Sequence, residues 1–71
     1  MSREALIARK EAVRAGLART QRTLERSRAE VEAASGLRQR YLQRRVAQLE
    51  ARADALMSEE YRLRQLIDQS R

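Results

Sequence analysis

Ala33-Ala34-Ser35-Gly36-Leu37 is the stretch that decides how this chain folds. The residues on both sides read as helix, and only here does a glycine coincide with a break in register. Gly36 can take the left-handed conformation that closes a helix C-terminus, and Ser35 offers a cap to a following helix. Before the stretch, an apolar stripe runs Leu6, Lys10, Val13, Leu17, Thr20, Leu24, Ser27, Val31, Ala34, in alternating steps of four and three. After it, a second stripe runs Leu42, Val46, Leu49, Ala53, Leu56, Glu60, Leu63, Ile67. Steps of four and three keep one helix edge turned toward another helix. Continuing the first stripe would bring residues 41 and 45 inward, whereas the second uses Leu42 and Val46. A glycine and a phase slip together predict a turn. The competing reading is one unbroken helix of about 105 Å, at roughly 1.5 Å per residue.

Folding the chain back about Gly36-Leu37 makes residues whose numbers sum to 73 layer partners. Leu24 then meets Leu49, Leu17 meets Leu56, Val31 meets Leu42 and Leu6 meets Ile67. Thr20 faces Ala53 and Ser27 faces Val46, so large layers alternate with small ones, as interdigitation requires. On the flanks, Glu30 falls beside Arg38 and Arg9 beside Glu59. Lys10 and Glu60, the charged seam residues, fall one layer apart, and Gly16 lies opposite Arg52. The expected fold is all-α: an antiparallel two-helix coiled-coil hairpin, with helices over residues 2–34 and 37–69 and a turn at 35–36. Ser2 caps the first helix, with Glu4 in its first turn. Met57-Ser58-Glu59-Glu60 resembles a helix start and allows a kink near Ser58.

Composition supports helix and excludes several function classes. The 71 residues contain no proline and two glycines, and Ala, Leu, Arg, Glu and Gln, strong helix formers, dominate. Leu, Ile and Val together number fourteen, with no Phe or Trp. Such a thin core predicts completion by a second copy or another helical protein. Cysteine and histidine are absent. That removes thiolate and imidazole chemistry and any His/Cys metal site. The carboxylate pairs Glu59-Glu60 and Glu50/Asp54 read as solvated helix charge, and neither glycine belongs to a phosphate-cradling loop. The expectation is a protein that is not an enzyme and carries no cofactor. No run of eighteen apolar residues exists, and the first fifteen residues carry Arg3, Glu4, Arg9, Lys10 and Glu11, unlike a signal peptide. A cytoplasmic protein without a membrane span is expected.

Net charge is +6, from fifteen Arg and one Lys against ten acids. Arginine forks onto carboxylate or phosphate. Glu4, Glu11, Glu25 and Glu32 share one heptad position, partly neutralising the first helix. The run Arg38, Arg40, Arg44, Arg45 precedes the leucine repeat, as in a basic leucine zipper, but without the base-reading asparagine. It can contact phosphate backbone or simply solubilise the hairpin tip, and a basic hairpin dimer binding RNA or DNA is one alternative function. A parallel zipper is another, with Arg45 meeting Glu50 and Glu59 meeting Arg64 of a second copy. Apolar residues off the seam mark a candidate partner face: Ile7, Met57 and Tyr61 on one flank of the open end and Leu66 on the other. Leu37 and Tyr41 lie near the tip.

Tyr41-Leu42-Gln43 with Leu49-Glu50, just after a glycine turn, resembles the second helix of the small co-chaperones of type III secretion needle subunits. The resemblance spans residues 36–57. It implies a helical hairpin that pairs with a larger helical-repeat chaperone and helps to hold the needle subunit unpolymerised in the cytosol. The function expected is thus a helical protein-binding module, with the secretion co-chaperone as its specific form.

Overall fold

The chain doubles back at its midpoint. A computed structural model describes residues 2–70, with helix α1 over Arg3–Ala33 and helix α2 over Gly36–Gln69. The two pack side by side into a rod whose Cα atoms span 54 × 14 × 13 Å. The unbroken helix is not adopted, and α1 lies along the leucine edge of α2 that a parallel zipper would use. Ser58 lies inside continuous helix, so no break occurs there.

Each helix end is explained locally. The Ser2 hydroxyl accepts from the Ala5 amide at 3.1 Å, satisfying one of the donors a helix start leaves open. Gly36 has φ of +64°, the only positive φ among the described residues. It therefore supplies the expected left-handed residue, but as the first residue of α2 rather than the last of the turn. The connection is Ala34 and Ser35, both extended. Ser35 stands at the N-cap position of α2, yet its side chain makes no capping bond. A contact not foreseen from the sequence closes the turn instead. The Gln39 side-chain amide donates to the Val31 carbonyl at 3.2 Å, tying the first turn of α2 to a carbonyl in the last turn of α1 that also accepts from the Ala34 amide.

The seam lies where the two stripes put it. Leu6, Val13, Thr20, Leu24 and Ser27 of α1 are buried, as are Leu42, Ala53 and Leu63 of α2. Leu17, Val31, Val46, Leu49, Leu56 and Ile67 are half-buried, because two helices enclose their seam from one side only. Leu6, Val13 and Leu63 form a buried apolar cluster, with Leu56 and Ile67 packed on it. It sits at the open end, far from the turn. Gly16 faces Leu56, whose Cδ1 lies 3.9 Å from where a Cβ would stand, with the Arg19 guanidinium at the same distance. The expected neighbour Arg52 is not there. A Leu56 methyl reaches the space first because it lies nearer the seam.

Candidate protein-docking site

The sites follow from rotation about each helix. With the seam fixed, roughly 100° per residue places every other side chain on one of two flanks or on the outer back. Interhelical ion pairs mark both flanks. On one, Arg9 Nη2 reaches Glu59 Oε1 at 2.7 Å and its Nε donates to the same oxygen at 2.9 Å. On the other, Arg28 Nη2 stands 3.6 Å from Glu50 Oε2. The Arg9–Glu59 contact is the one expected. Glu30 and Arg38 form no such pair, since nothing but rotamer choice on an exposed surface would hold them together. Glu60 turns to Arg64 on its own helix at 3.0 Å, not to Lys10. One helical turn brings Arg64 beside it, whereas Lys10 must reach across the seam.

All six apolar residues that miss the seam are exposed: Ile7, Leu37, Tyr41, Met57, Tyr61 and Leu66. Their arrangement is more specific than the sequence suggested. Met57 is 45% exposed and lines a shallow groove over the seam residues Leu24 and Ala53, with Gln21 opposite and Glu25, Arg28, Glu50 and Asp54 on its rim. Tyr61 lies one turn further along the same flank, its hydroxyl accepting from the Gln65 amide at 3.0 Å. Ile7 shares the flank and, in the fold-back register, stands level with residue 66 of α2, about 14 Å along the rod from Met57. Met57, Tyr61 and Ile7 thus follow one another along one flank toward the open end, and the groove at Met57 is its concave part. Leu66 belongs to the other side, where it borders Leu6, Gln69 and Ser70 at the open end.

The tip run divides in the same way. Arg38 and Arg45 share a flank, Arg44 points outward, and Arg40 lies on the groove side. All four are exposed, but they do not make one surface.

Every fully buried side-chain nitrogen or oxygen among the described residues has a hydrogen-bond partner. No group of three or more His, Cys, Asp or Glu among them could hold a metal ion. No helix among them is long and apolar enough to cross a membrane. Comparison with protein-family models, curated proteins and solved structures returned no match.

Proposed function

We propose that the hairpin is a non-enzymatic module that binds a helix of another protein, or of a second copy, along its Met57 flank. The observation that supports this is the groove itself. Seam residues Leu24 and Ala53 form its floor, an exposed methionine stands beside it, and three carboxylates rim it together with Arg28, which Glu50 engages, so the rim stays net negative. Methionine adapts to irregular apolar partners, and a helix laid in a groove is read through apolar residues at three- and four-residue steps. The acidic rim selects a partner helix whose flanking residues are basic. The half-open seam gives the same reading a second support, since a third helix over this flank would cover the half-buried Val31 and Val46, which line the next hollow along it.

The resemblance at Tyr41-Leu42-Gln43 and Leu49-Glu50 supports a finer version. In it, the hairpin is a small cytosolic co-chaperone that seats on a helical-repeat chaperone and guards a secretion subunit.

The test uses the whole chain with Met57→Glu and Tyr61→Ala. Sedimentation at several concentrations separates docking to a second copy from docking to a foreign partner. If copies pair here, the double variant should sediment as a single hairpin where the parent is larger. If the partner is foreign, a photo-crosslinker at position 57 should trap it in cells and one at position 44, on the outer back, should not. An unchanged mass together with no crosslink specific to position 57 would sink the proposal.

A further inference from the structure

The flank opposite the groove has the reverse charge, and no part of the docking site uses it. Arg19, Arg26, Arg38, Arg45, Arg52 and Arg62 all fall on this side, and all are exposed. None forms an ion pair with a described residue. The acids of this flank are Glu30 and Glu59, and Glu59 is engaged by Arg9. Across the rod, Glu4, Glu11, Glu25, Glu32, Glu50 and Asp54 gather on the groove side. The net positive charge of the chain is thus concentrated on one of its two broad faces.

We infer that this arginine flank binds the phosphate backbone of a nucleic acid, independently of sequence. Length is the first argument. Arg38, Arg45 and Arg52 repeat every seven residues, about 10.5 Å apart, and the row from Arg38 to Arg62 extends about 36 Å. A straight row of that reach suits a polymer with regularly spaced charge. The second argument is what the flank lacks. Between its ends it presents Ala12, Gly16, Thr23, Gln48 and Ala55 among the arginines; of the six large exposed apolar residues only Tyr41 lies within the row, with Leu66 beyond Arg62 at the open end. Protein partners bind mainly through buried aromatic and aliphatic anchors, whereas a phosphate backbone is held by charge and released counterions. The third is arginine itself, whose planar fork matches a phosphate with two parallel bonds. Tyr41, 63% exposed at the tip end of the same flank, adds a ring on which a base can stack.

This inference stands apart from the docking proposal, since it concerns the opposite face. The probe is a fluorescein-labelled single-stranded RNA of mixed sequence, about 20 nucleotides long, read by anisotropy between about 50 and 200 mM salt. Two double variants each remove two charges. Arg45→Gln with Arg52→Gln strips the flank, and Arg14→Gln with Arg40→Gln removes the same charge from the groove side. Both replace exposed arginines with a good helix former, and circular dichroism checks that the helices remain. The flank variant should bind at least about tenfold more weakly near 0.1 M salt, with its log–log salt slope reduced by roughly 1.4, about 0.7 per lost contact. The groove-side variant should stay within about twofold, as charge remote from the bound backbone releases few counterions. Equal weakening in both variants would reduce the effect to net charge and overturn the inference. So would the absence of saturable binding at the lowest salt. Displacement of the RNA by polyglutamate at equal charge would assign the flank to an acidic protein surface instead.

Discussion

Thr20 shows how the seam tolerates polarity. It is 6% exposed, and its hydroxyl donates to the Gly16 carbonyl at 2.9 Å, one turn back along the same helix. The hydroxyl therefore brings its own partner and leaves nothing orphaned in the seam. That bond adds little to the helix, because the carbonyl already accepts from the backbone, and such back-bonding weakens helices slightly. Thr20→Val should accordingly raise the stability of the hairpin, by about 1 kcal/mol, since apolar surface replaces a hydroxyl beside Ala53 and no partner is stranded. A higher melting temperature by circular dichroism is the expected result, and a lower one would mean that the hydroxyl has a further role. The seam position of Thr20 was legible from periodicity. Its hydrogen bond was not, because spacing says which way a side chain points and not which rotamer it holds. The same limit explains Glu30 and Arg38. Exposed pairs contribute little, about 0–1 kcal/mol, so neighbouring positions do not ensure a contact.

At the scale of the element, the turn carries the fold. Both helix boundaries fell within one residue of the sequence reading, since a capping serine, a glycine and a phase slip are local signals. The Gln39 bond to the Val31 carbonyl was invisible to that reading, because its reach depends on the extended backbone of Ala34 and Ser35 and not on any period. Gly36 tests the turn directly. Open space surrounds its Cα, so an added methyl meets no neighbour and only the positive φ resists it. Gly36→Ala should cost about 1 kcal/mol. Gly36→Asn should cost less, because asparagine tolerates the left-handed region. Urea titrations of both variants would rank them, and equal losses would point to a cause other than the dihedral.

For the whole molecule, the angle and height of each residue were readable and the shape of the surface was not. The heptad pattern and the fold-back register string Met57, Tyr61 and Ile7 along one flank, but the groove at Met57 is a surface built by both helices over Leu24 and Ala53. The separation of charge between the two faces was hidden for the same reason. The acidic row of α1 showed in its heptads, but a face is made by both helices, and the arginines of α2 had to be set against it. Seen end to end, the rod is fastened twice, by the Gly36 connection at one pole and by Leu6, Val13 and Leu63 at the other. The two fastenings form at different times. Contacts beside the turn close short loops, while Leu6 and Leu63 must bring together residues 57 apart in the chain, so zippering starts at the turn and reaches them last. Leu6→Ala, at about 2 kcal/mol, should then leave the folding rate nearly untouched and speed unfolding roughly thirtyfold. Gly36→Ala should act instead on the folding limb, and stopped-flow chevrons of the two variants would reveal a reversed order. The pole remote from the bend thus acts as a latch: it governs how long the folded hairpin survives, and hardly how quickly it arises.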